Sequence, residues 1–172
     1  MSNLSIKRSI SRHLVSVLLI PILIISCSTS EPERDEIIAV AQKLFDTIAN
    51  RDSEAARNLL LPDGTFSFIR AVEGQVNVGS VTHEQFIQGL LMEESSEFLE
   101  RMWDPTVLIQ GRIAILWTHY DFHIDGEFSH CGIDAFSFLK TNEGWKISGI
   151  TYTVETEGCV ESPLGPVSGA NQ

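Results

Sequence analysis

The residues best suited to chemistry crowd into one stretch, Tyr120 to Phe136, which reads YDFHIDGEFSHCGIDAF. His123, His130, Asp121, Asp134, Cys131 and four aromatic residues surround a single Asp125-Gly126 pair. Alternate residues of a strand share a face, so His130, Gly132, Asp134 and Phe136 lie on one side. A carboxylic acid in an apolar pocket has its pKa raised and then serves as acid or base. Asp134 is therefore the candidate catalytic group, with His130 or Tyr120 as its hydrogen-bonding partner. Gly132, between His130 and Asp134, leaves room for a ligand or for a neighbouring backbone. The alternative is structural: Asp134 and His130 bond neighbouring side chains and orient the sheet. Tyr120, Phe122, His130 and Asp134 are expected to line a ligand pocket, with Trp103 as a further wall. Arg70 shares a face with Phe66 and Phe68, and points either into that pocket or to water.

Other chemistries fit less well. His119 and His123 are four residues apart, about 13 Å along a strand, and cannot both reach one metal ion. A site built from His130 and Asp121 lacks a third ligand. No metal is expected, and two solvated surface histidines are the simpler reading of His119 and His123. There is no Gly-x-Ser-x-Gly and no glycine-rich phosphate loop, so neither a nucleophilic serine nor a nucleotide cofactor is expected. By parity Cys131 faces away from His130 and Asp134.

The elements that must hold these residues follow from periodicity. Ile37, Ile38, Ala41, Leu44, Phe45 and Ile48 form a helical stripe ending near Asn50. Asp52 or Ser53 caps a short second helix, EAARNLLL, expected to stop at Pro62-Asp63-Gly64. Residues 65–71 and QVNVGSV form a hairpin turning at Gly74. Thr82 and Gln85 make a capping box for a third helix over 83–92. MEESSE follows as an acidic bend. Four long strands are then expected, Leu99–Ile109, Arg112–Ile124, Phe128–Lys140 and Trp145–Glu155, with Pro105 at an edge or a bulge. Asp125-Gly126 favours a two-residue turn, which sets Asp121 opposite His130. A three-residue loop with a bulge sets His130 opposite Phe122 and Gly132 opposite Tyr120. One residue of slip exchanges the faces. Both registers stay open, with preference for the bulged one because Tyr120 and Phe122 suit a pocket.

Three helices on a strongly curved, mostly antiparallel sheet make an α+β domain whose concave face encloses a cone-shaped cavity. This order, with His-x-Gly-x-Asp-x-Phe at 130–136 and Gly-Trp-Lys-Ile at 144–147, resembles the nuclear transport factor 2-like superfamily over roughly residues 33–158. The resemblance implies the cone fold of ketosteroid isomerase-like enzymes, limonene-epoxide-hydrolase-like enzymes and polyketide cyclases. It implies no single function.

The chain's start is an address. Lys7, Arg8 and Arg12 precede the apolar run from Leu14 to Ile25, too short for a span of about 20 residues. Residues 1–26 read as a secretory signal. Ile24-Ile25-Ser26-Cys27 resembles a bacterial lipobox, with Cys27 as the lipidated residue and 27–34 as a tether. Ser28 then implies the periplasmic side of the outer membrane. From Cys27 onward, nine basic residues against 23 acidic ones leave a charge of −14, which argues against nucleic-acid partners. Cys131 and Cys159 remain, in a compartment that permits a disulfide, and are either bonded or separate thiols. Residues 159–172 are expected to be loose except where Cys159 pins them.

Three functional classes follow. The first is a lipid-anchored binding or accessory module for a small apolar molecule. The second is a cofactor-independent isomerase, dehydratase or hydrolase using Asp134. The third is a homodimeric structural module with a vestigial pocket.

Overall fold

The computed structural model describes residues 31–72, 74–92 and 95–167. The signal segment, Cys27 and the last five residues lie outside them, as do Glu93 and Glu94 of the acidic bend. Helix α1 (Glu31–Asn50) is the first element of the described residues, so residues 31–34 at the end of the expected tether are helical. Glu31 and Glu33 in its first turn complement the positive end of the helix dipole. Helix α2 (Ser53–Leu59) is capped by Asp52, whose carboxylate accepts from the Ala55 N–H at 2.9 Å.

Strand β1 (Leu60–Val72) starts earlier than the sequence suggests. Leu60 pairs with Ile147 and Thr65 with Gly149, so Pro62-Asp63-Gly64 forms an irregularity inside the strand and does not end α2. Leu60 is buried, and tertiary packing claims it from the helix. Gly64 packs against the His83 ring, 2.0 Å from where a Cβ would stand. Strand β2 (Gln75–Thr82) completes the hairpin, and α3 (His83–Leu91) follows with the full Thr82/Gln85 capping box.

Strands β3 (Phe98–Gln110), β4 (Ile113–Ile124), β5 (Glu127–Thr141) and β6 (Gly144–Val154) form a meander. The sheet order is β2-β1-β6-β5-β4-β3, with β1 and β6 parallel and every other pair antiparallel. Pro105 lies on the edge strand β3 at a register break between Trp103 and Thr106. The missing N–H of proline is tolerated there.

The β4–β5 register combines both expectations. Ile124 pairs with Glu127 around a two-residue Asp125-Gly126 turn, and both turn residues have positive φ (53° and 81°). Such a backbone suits Asp-Gly and matches the twist of a hairpin. The register then shifts between Phe122 and His123, so His130 faces Phe122 and Gly132 faces Tyr120. The turn is tight, and the bulge beside it re-aims the strand.

Helix α1 buries Ile37, Ala41, Leu44 and Phe45 against Leu116, Phe136, Phe138 and Ile147 on the inner face of the curled sheet. The outer face carries Leu108, Ile113, Ile115 and Trp117, all exposed. A disulfide joins Cys131 to Cys159. The tail beyond it has no regular structure, yet the Arg101 guanidinium donates to the Gly165 carbonyl at 2.9 Å and ties it a second time.

Candidate functional site

A cavity of about 460 Å³ lies between the helices and the inner face of the sheet. Leu44, Phe45 and Ile48 of α1, Phe86 and Leu90 of α3, and Phe66 of β1 supply its apolar wall. The sheet supplies its polar end: Glu100 from β3, Tyr120 and Phe122 from β4, His130 and Asp134 from β5, and Tyr152 from β6. These come together because Asp134 pairs with Thr118 on one side and Tyr152 on the other, while Phe122 pairs with both His130 and Glu100. Residues paired directly across strands point to one face.

Asp134 is 3% exposed, and its Oδ2 has no hydrogen-bond partner among the described residues. Burial pushes its carboxyl up to about 8. The Glu100 carboxyl is raised well above its ordinary value, first by burial and then by the negative charge of Asp134. The two carboxyl groups are neighbours, and each acts on the ionisation of the other. Two carboxyl groups in an apolar enclosure cannot both ionise, since each charge lacks water and repels the other.

The neighbours complete this environment. The Tyr120 hydroxyl donates to the Thr153 carbonyl at 2.6 Å, and burial raises its pKa. Tyr152 is raised by burial and by Glu100 and Asp134. His130 stacks on Phe122 at 5.0 Å, meets Tyr120 edge-on, and sets Nδ1 3.0 Å from Ser129 Oγ. Burial lowers its pKa, which keeps it neutral near pH 7. The sequence expected His130 or Tyr120 to partner Asp134; their hydrogen bonds go to Ser129 and Thr153 respectively, and Glu100 is the ionisable group beside Asp134. Gly132 makes room for backbone, not ligand: a Cβ there would stand 2.2 Å from the Thr153 carbonyl oxygen.

Trp103 and Arg70 do not line this cavity. Trp103 stacks on His119 at 5.6 Å on the outer face, beside Cys131 and Cys159. Arg70 is exposed, with its guanidinium 5.8 Å from the Phe68 ring centre, in a groove along the end of β1. The histidine pair also differs from expectation. His123 is buried, sets Nε2 3.3 Å from Asp121, and packs edge-on against Phe128. Asp121 takes a bidentate pair from Arg101 at 2.8 and 2.6 Å. No group of three His, Cys, Asp or Glu side chains is placed to hold a metal among the described residues.

No family model and no curated protein matches the chain. Solved structures do. A nuclear transport factor 2-like superfamily protein from Salmonella enterica serovar Typhimurium superposes with a TM-score of 0.60 at 16% identity, covering 78% of this chain and 99% of the other. A similar protein from Cytophaga hutchinsonii gives 0.57 at 20% identity, covering 73% and 99%. A third, of unknown function, from Silicibacter pomeroyi, gives 0.53 at 17%, covering 74% and 100%. The chain has the nuclear transport factor 2-like fold. Its cavity occupies the concave side of that cone, and at these identities the likeness is one of fold alone. Function has to be argued from the residues inside.

Sequence reading missed Glu100 and Tyr152. Both were open to it in principle. Once Phe122 is assigned to the pocket, its partners across the ladder face the same way, and Glu100 is one of them. Tyr152 follows likewise from Asp134. The missing step was alignment of β3 on β4 and of β6 on β5, which depends on bulges at Trp103/Thr106 and Ser137/Phe138.

Proposed function

We propose that this domain binds a small, mostly apolar molecule in the cavity, with one polar end against Asp134 and Glu100. The observation that carries this reading is the buried, unpartnered Asp134 Oδ2 at the polar end of an otherwise apolar hollow. A polar atom buried without a partner is costly, and a bound molecule relieves that cost. Enclosed, mainly apolar cavities with a few convergent polar groups are the usual form of small-molecule sites. The lipobox-like Ile24 to Cys27 supports an exported protein held at the membrane through lipid on Cys27.

The test uses Nile red, a neutral dye whose emission reports apolar surroundings. One dye per chain is expected to bind. Gly89 borders the cavity, and a Cβ there meets no atom within 4 Å. Gly89→Phe is expected to set a ring at this border and narrow the hollow, with open space at its Cβ. Undiminished dye binding in that variant, at unchanged melting temperature, contradicts the assignment.

A second reading rests on the shared proton. A carboxyl raised to about 8 is suited to proton transfer near neutrality, so the site can serve an isomerase or dehydratase with Asp134 as the acid/base. Exchange of α-hydrogen for deuterium in a bound apolar ketone, followed by NMR, tests it. Asp134→Asn is expected to stop the exchange, and exchange at the wild-type rate in that variant removes the catalytic reading.

A further inference from the structure

The cavity is selective in charge as well as in polarity. The buried Asp134 Oδ2 has no hydrogen-bond partner among the described residues, and Glu100 sets a second carboxyl beside it. Phe66, Phe86, Phe98, Phe122 and Tyr152 line the same space, and the faces of such rings attract positive charge. The ionisable groups beside the pair are Tyr120 on β4, His130 on β5 and Tyr152 on β6, none a cation near pH 7; Arg51 also lines the cavity, and Arg70 lies near Tyr152 in an adjoining groove with His130. Arg51, at the end of α1, holds its guanidinium 4.7 Å from the Phe98 ring centre and donates to the Ser96 carbonyl at 2.9 Å. Asp121, on the other face, adds negative potential at Glu100, and its own charge is held by Arg101. The whole chain carries −11, which draws cations toward it. At the sheet end of this space an anion would meet two carboxyl groups, while the Arg51 guanidinium lies beside Phe98 in the same lining.

We infer that the ligand is an organic amine: a primary or secondary ammonium on an apolar, preferably aromatic body, with its nitrogen against Asp134 and Glu100. This rests on the small-molecule reading above and narrows it. An ammonium group brings N–H donors to the unpartnered Oδ2 and offsets the charge that makes ionisation of the pair costly. The proton balance follows. Near pH 7 the free site holds its carboxyl protons. When the ammonium enters, Asp134 ionises and its proton passes to the buffer, so an ion pair replaces a neutral acid. Apart from this proton transfer to the buffer base, no covalent bond is made or broken.

Three probes of matched shape test this: phenylbutylamine, phenylbutanol and phenylbutanoate. They are titrated calorimetrically into the soluble protein near pH 7 in phosphate and in Tris, which differ in ionisation enthalpy. The amine is expected to bind at least about 10-fold more tightly than the alcohol, and the carboxylate more weakly still, since one pKa unit of interaction corresponds to about tenfold. Amine binding releases about one proton per site, read from the difference between buffers. Glu100→Gln is expected to narrow the preference for amine over alcohol. Alcohol or carboxylate binding as tightly as the amine, or amine binding without proton release, overturns the inference. Nile red separates the two levels: a cavity that takes the dye but prefers the alcohol retains its role and loses the amine. A cavity that takes neither dye nor any probe loses both.

Discussion

Glu100 and Asp134 make stability depend on pH in a direction opposite to that of ordinary paired carboxylates. Their folded pKa values are raised, with burial as the first cause. In the unfolded chain both ionise near the usual value of about 4. Folding therefore binds protons that the unfolded chain has lost. The contribution is fully present below about pH 4 and is lost as pH rises toward the folded value, which is about 8 for Asp134. Glu100→Gln keeps a donor toward Asp134 and removes one ionisable group. It is expected to raise stability at about pH 8–9 by roughly 1–3 kcal/mol and to flatten the pH profile, as measured by urea unfolding across pH. An unchanged profile would place Glu100 in water. Gly132 makes a second residue-level case. Gly132→Ala sets a methyl 2.2 Å from the Thr153 carbonyl oxygen, which is backbone and yields little. A loss of about 1–3 kcal/mol is expected, together with weakening of the Tyr120–Thr153 bond. A neutral effect would mean that β5 and β6 separate easily at this point.

Among the elements, the tail has the clearest testable role. It leaves β6, pairs Glu155 with Cys131 through two 2.9 Å backbone bonds, and is fastened by the disulfide and by Arg101. The disulfide closes a sequence separation of 28 residues, worth about 3 kcal/mol if it acts by restricting the unfolded chain. Cys159→Ser is expected to lower the unfolding free energy by that amount and to speed amide exchange at Glu155, while Nile red binding persists, because Cys131 faces away from the cavity. Loss of dye binding in this variant would show that the strap also shapes the hollow. Elements read most easily from sequence were those with strong local signals: the α1 stripe, the Thr82/Gln85 box and the turns at Gly74 and Asp125-Gly126. The start of β1 was misread for a tertiary reason. Leu60 suits a helix as well as a strand, and its burial in the core decided between them.

At the level of the whole molecule, net charge and address act together. On the proposed lipid anchor at Cys27, an acidic domain would stay off anionic headgroups and leave retention to the lipid alone. Cys27→Ser is expected to move the protein from membrane to soluble fractions on cell fractionation. Continued sedimentation with membranes would count against lipidation. The same acidity should make the amine's association rate fall as salt rises, since long-range attraction is screened over about 10 Å at 0.1 M.

What the amino-acid order determined by itself was whatever depends on neighbours in the chain. Helix stripes, caps, the Asp125-Gly126 turn and the parity that puts His130 and Asp134 on one face are local, because backbone geometry repeats every few residues. Only the tertiary structure decided what depends on register between strands. A bulge between Phe122 and His123 turned His130 toward Phe122, and the β3 ladder brought Glu100 against Asp134. Strand pairing is a contact between distant segments, and one extra residue exchanges the two faces of a strand. The carboxyl pair therefore exists only in the folded sheet: Asp134 was named from the sequence, and Glu100 was not.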